Sequence, residues 1–121
     1  MTFPLQIEFL NTQPIETVEF RIRRELAEFE KSYNRLVSCR VEVEVPKDER
    51  RGSVSKVRLD LGVPAKDAET PGEVRRAEVK DDTEHLEVSA QDKDASMAVH
   101  AAFNDARRRL KDFTGDSYKH H

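Results

Sequence analysis

The sequence predicts a two-layer α+β domain: a four-stranded mixed sheet with both helices packed on one face, in the order β-α-β-β-β-α. Three observations predict it. Four segments alternate apolar and polar residues at the period of a strand. Two longer segments carry single apolar stripes at helical spacing. All four strands place polar or charged side chains on one face, so both helices must cover the other.

The first strand is read from Leu5, Ile7 and Phe9, which alternate with Gln6 and Glu8. Pro14 precedes a helix whose stripe is Ile15, Val18, Ile22, Leu26, Phe29 and Tyr33, at spacings of 3, 4, 4, 3 and 4. Asn34 is the expected stop, and Leu36 re-enters the core. Cys39, Val41, Val43 and Val45 alternate with Arg40, Glu42 and Glu44, and Pro46 ends this second strand. The polar run Lys47 to Gly52 makes the turn. Val57, Leu59, Leu61 and Val63 form the third strand, and Leu86, Val88 and Ala90 a shorter fourth. Asp94 is a good N-cap for the second helix, with the stripe Val99, Ala102, Phe103, Ala106, Leu110 and Phe113 and a stop at Gly115. A right-handed crossover through the first helix makes strands one and two parallel; the remaining strands join as antiparallel neighbours.

The whole reads as one domain over residues 1–115, with 64–85 as an acidic insertion between strands three and four and 116–121 as a flexible tail. The insertion supports two readings. Val74, Ala77 and Val79 suit a hairpin extension or a short helical turn, whereas its proline and acidic content suits disorder.

Composition narrows the function classes. The 121 residues fit one domain, and charged residues make up 37% of them. No apolar run is long enough to span a membrane, and the start MTFPLQIEF lacks the pattern of a signal peptide. The single cysteine, Cys39, excludes an internal disulfide and suits a reducing cytoplasm. Cys39 falls on the inward face of a strand, as a small core residue does. No phosphate-cradling glycine loop and no nucleophile elbow occurs. His85 has no His or Cys companion at ligand spacing, and His120 and His121 read as a tail. The expectation is a protein that is not an enzyme and uses no cofactor, metal or small-molecule substrate.

Six segments, taken together, resemble the ribosome hibernation promoting factor family, also called ribosome-associated inhibitor A or the sigma-54 modulation family. PLQIEFLNTQPIETVEFRIRRELAEFEKSYNRL is similar to its first strand and long helix. VSCRVEVEVP, the basic turn and VSKVRLDLGVP are similar to its central hairpin in short proteobacterial members. LEVSAQDKDASMAVHAAFNDARRRLKDF is similar to its last strand and helix. The match covers residues 4–63 and 86–114. It implies a factor that binds the small ribosomal subunit near the mRNA and tRNA channel in stress or stationary phase and silences translation by occupancy. It also implies the short type, without the dimerisation domain of longer members, acting as a monomer in the cytoplasm. The chain departs from the family in two ways. It is not basic overall, and it reads Asp94-Ala95-Ser96 where many members have Asp-Val-Tyr or Asp-Met-Tyr.

The charge distribution bears on that expectation. The net charge is -3, which by itself counts against a nucleic-acid partner. Residues 1–63 carry 11 basic and 11 acidic side chains, residues 64–85 carry 4 and 7, and residues 86–121 carry 6 and 6. The negative excess therefore lies wholly in the insertion. On the last helix His100, Asn104, Arg107 and Lys111 share one flank, with Arg108 beside them pointing away from the core. On the first helix Arg24 and Lys31 lie opposite the apolar stripe with Phe20 between them in projection, and Arg21 and Arg23 occupy the flanks. An exposed aromatic among basic groups suits stacking on RNA. Arg50 and Arg51 in the central turn are placed to add a further phosphate contact. These twelve residues are the candidate rRNA-binding set.

Blander readings stand beside this one. Basic residues in a last helical turn complement the helix dipole on any solvated helix. Arg21, Arg23 and Arg24 are interleaved with Glu19, Glu25 and Glu28, which suits a salt-bridged solvated face equally well. Phe20 is either a plain exposed aromatic or lies under the insertion. Two further functions stay open: a protein-interaction or regulatory module on the same fold that has lost rRNA binding, and a general double-stranded RNA binder, since the αβββα portion resembles double-stranded RNA-binding domains.

Overall fold

The computed structural model describes residues 3–47, 52–64 and 83–110. The element order is β1 (Leu5–Leu10), α1 (Glu16–Ser32), β2 (Ser38–Glu44), β3 (Ser55–Pro64), β4 (Thr83–Asp92) and α2 (Ala95–Leu110). The strands lie in the order β1-β2-β3-β4. β1 runs parallel to β2, with Leu5, Ile7 and Phe9 opposite Cys39, Val41 and Val43. β2 with β3 and β3 with β4 are antiparallel. This is the architecture expected from the alternation and the two stripes.

The period-2 pattern sorts the sheet cleanly. Cys39, Val41, Val43, Val57, Leu59, Leu61, Val63, Leu86 and Val88 are buried on one face. Val18, Ile22, Leu26 and Phe29 of α1, and Ala98, Val99, Ala102, Phe103, Ala106 and Leu110 of α2, join them in one core. The Phe29 and Phe103 rings meet edge to face at 6.1 Å between the helices, a geometry that aromatic quadrupoles favour. The other sheet face is wet and ionic. Arg40 bridges Glu8 at 3.0 Å and Glu42 at 3.2 Å, and His85 Nδ1 lies 2.8 Å from Asp60 Oδ1.

Element ends differ from the sequence reading in three places. α1 stops at Ser32, and Tyr33 is its extended C-cap, its N–H donating to the Phe29 carbonyl at 3.0 Å. β3 and β4 continue past their alternating cores, so Pro64 and Thr83 to His85 are ladder residues rather than insertion. The ladder persists because Gly62, Val63 and Pro64 face His85, Glu84 and Thr83 in unbroken register. The remainder of the insertion, including Val74, Ala77 and Val79, lies outside the described residues. So do Phe113, Gly115 and the tail 116–121.

Candidate nucleic-acid interface

The site is built where α1 and α2 run side by side over the sheet. The stripes that bury Ile22, Leu26 and Phe29 on α1, and Val99, Phe103 and Ala106 on α2, turn one flank of each helix toward the other. Glu25 sits on the α1 flank and is only 8% exposed, the one charged side chain buried among the described residues. A carboxylate so placed needs charged or hydrogen-bonding partners. It has them from both helices. Oε2 accepts from Arg21 Nε at 3.1 Å and from His100 Nδ1 at 2.8 Å. Oε1 lies 4.0 Å from Arg107 Nη2.

The chain of contacts continues along α2. Asn104 Nδ2 lies 3.1 Å from His100 Nε2, and Arg107 Nη1 donates to Asn104 Oδ1. The Arg107 guanidinium also lies over the Phe29 ring, 5.9 Å from its centroid, within cation–π range. Arg21, His100, Asn104 and Arg107 are thus one seam across the helix pair, half-buried at its ends. With His100 neutral, two guanidinium groups face one carboxylate, so the seam is net positive.

The other candidates are arranged differently. Phe20 is 67% exposed, a wide-open aromatic on α1. Arg24 is exposed and has no ion pair or hydrogen bond among the described residues. Helical spacing puts Phe20, Arg24 and Lys31 along one outward stripe. Lys31 pairs with Glu28 at 3.2 Å, and Arg23 reaches Glu19 at 3.7 Å on the flank away from Glu25. Arg108 and Arg109 share Asp105, at 2.8 Å and 3.2 Å. Exposed pairs of this kind hold their partners weakly. Arg50, Arg51 and Lys111 lie outside the described residues.

The sequence reading counted Glu25 among the acids interleaved on α1, on either a solvated or a binding face, and the structure buries it. Spacing puts Glu25 at the edge of the apolar stripe of Val18, Ile22, Leu26 and Phe29, and the packing of α2 along that edge buries it. Burial, then the charges of Asp60 and Glu30, push the Cys39 thiol up to about 12, so it stays protonated and unreactive. Among the described residues no three His, Cys, Asp or Glu side chains gather as a metal site requires. No described helix is long and apolar enough to cross a membrane.

No protein-family model and no curated protein matches the chain by sequence. Solved structures do match. The N-terminal domain of Protein Y from Thermus thermophilus superposes with a TM-score of 0.61 at 14% identity, covering 89% of this chain and 94% of that one. A ribosomal subunit interface protein from Coxiella burnetii superposes with a TM-score of 0.66 at 9% identity, covering 93% and 99%. At such identities the likeness is one of fold, and it is the fold that the six-segment resemblance to the hibernation factor family led us to expect.

Proposed function

We propose that the protein is a ribosome-associated factor of the cytoplasm. It binds rRNA of the small subunit near the mRNA and tRNA channel and represses translation in stress or stationary phase. It acts as a monomer and by occupancy: no bond is made or broken, and no cofactor is used. The observation that carries this reading is the net-positive seam of Arg21, His100, Asn104 and Arg107, continued by Arg24 and Arg108 on the outer helix surfaces. The near end-to-end likeness to a ribosomal subunit interface protein supports it.

The test is co-sedimentation with ribosomes across salt concentrations, alongside a translation reaction. The protein should pellet with small subunits at low salt and slow translation. Replacing Arg107, Arg108 and Lys111 with Ala should weaken binding and flatten the log–log salt slope, by about 0.7–0.9 for each phosphate no longer neutralised. Protein that stays in the supernatant at low salt and leaves translation untouched would sink the proposal. Equal affinity for a plain RNA duplex would favour the general duplex binder instead.

A second reading has its own observation. Arg21, Arg23, Lys31, Arg108 and Arg109 each already face an acid of this chain. A face neutralised from within suits a protein-interaction module on the same fold. That module would bind a partner through 64–85 at moderate salt and would ignore ribosomes.

A further inference from the structure

We propose that His100 and Asn104 are positioning residues that hold Arg107 in place or release it according to the protonation of His100. This rests on the ribosome reading for the identity of the partner, rRNA phosphate, but not for the latch itself.

The two ends of the seam fix its polarity. Arg107 can only donate, so the Asn104 atom facing it is the carbonyl Oδ1. The Asn104 amide nitrogen therefore faces His100, and Nε2 must accept. At the other end the Glu25 carboxylate can only accept, so Nδ1 carries the hydrogen. Both requirements are met by one species, neutral His100 with its proton on Nδ1. Every donor then meets an acceptor, from Arg107 through Asn104 and His100 to Glu25.

A second proton on the ring breaks this order. Nε2–H would face the Asn104 NH₂ group, donor against donor. Asn104 can accept from it only by reversing its amide. The reversed amide presents NH₂ to Arg107, which has no lone pair to accept with. Arg107 then loses its hydrogen bond to Asn104. It also shares Glu25 with a second full positive charge beyond Arg21. No other described group compensates. α1 offers His100 only Glu25, with Arg21 on the same oxygen, and α2 offers Asn104 and Arg107. The sheet face beneath carries apolar side chains. Histidine is the side chain that gains charge across mildly acidic pH. Acidification therefore removes the Asn104 anchor of Arg107, leaving Glu25 and the Phe29 ring, and adds a cation on the same flank, and both changes favour phosphate.

The latch is tested on the free protein by long-range proton–nitrogen NMR of the histidine rings. At pH 8.0 His100 should be the tautomer protonated on Nδ1, and the Arg107 Nε–H signal should shift as His100 titrates. A ring protonated on Nε2 at pH 8.0, or an Arg107 signal indifferent to the titration, overturns the latch. Its use is tested by ribosome co-sedimentation at pH 5.5 and 8.0 with the wild type and His100→Gln. The wild-type log–log salt slope should steepen by about one to two units at pH 5.5, at about 0.7–0.9 for each further phosphate neutralised. The His100→Gln slope should change less by that amount, because other titrating groups are common to both proteins. Equal pH responses in the two proteins overturn the latch. Absence of pelleting at either pH overturns the ribosome reading, and the NMR arm still decides the latch.

Discussion

Two positions show how single side chains govern this molecule. Glu25 supplies a charge at the buried edge of the α1 stripe, and the seam exists because that charge must be answered from both helices. Gly62 supplies nothing, and that is its role. It stands opposite Ser38 on β2 and His85 on β4, and Ser38 Oγ occupies the space a side chain would take. A Cβ there would also come within 3.3 Å of the Ser38 backbone nitrogen and 3.3 Å of Thr83 Cγ2. Gly62→Ala should therefore destabilise the fold by about 1–3 kcal/mol, the usual range for overpacking, read by urea denaturation. Ser38→Ala made in the same chain should recover part of the loss, since the hydroxyl is the nearest obstacle. Full additivity of the two changes would show that Ser38 is not the obstacle. That His100, Asn104 and Arg107 share one flank of α2 was legible in the sequence, because spacings of 4 and 3 place them together. The acid that organises it was not, because composition presents Glu25 as one carboxylate among many, and only packing shows which of them is buried.

The two helices begin by different physics. α2 is capped by its own sequence: Asp94 Oδ1 accepts from the Ser96 N–H at 2.9 Å, and the Asp94 carbonyl accepts from Ala98 N–H at 3.0 Å. α1 has Ile15 at its N-cap, with no side-chain bond, and Ile15 instead packs against the core. The start of α2 should thus respond to a polar change. Asp94→Ala should cost about 1 kcal/mol, whereas Asp94→Asn, which keeps the accepting oxygen, should cost much less, both read by thermal unfolding. Equal losses would assign the effect to charge rather than to the cap. Because α2 carries His100 through Arg107, its cap also steadies the seam. Element existence was legible throughout, since each strand and helix announces itself by period. The ends were not. Backbone pairing carried β3 and β4 on to Pro64 and Thr83, where no side-chain alternation marks a strand.

At the scale of the whole molecule, the open question is whether a chain of net charge -3 can hold a polyanion. The negative excess is local to 64–85, and the end of the β3–β4 ladder marks where most of it can be cut out. Pro64 and Thr83 face each other at the end of an antiparallel ladder, so a two-residue Asn-Gly turn can join them directly. Replacing residues 65–82 in this way deletes four basic and six acidic side chains and raises the net charge to -1. If α1 and α2 form the ribosome-binding surface, the shortened protein should bind ribosomes as tightly as the full chain or tighter. The advantage should be largest at low ionic strength and should fade as salt shortens the screening length from about 10 Å at 0.1 M. A protein-interaction module working through this segment predicts the opposite: its partner is lost on deletion, and no ribosome binding appears at any salt. Weaker ribosome binding by the shortened protein would mean that the segment itself touches the ribosome. The net charge would then be a poor guide to where this chain meets RNA.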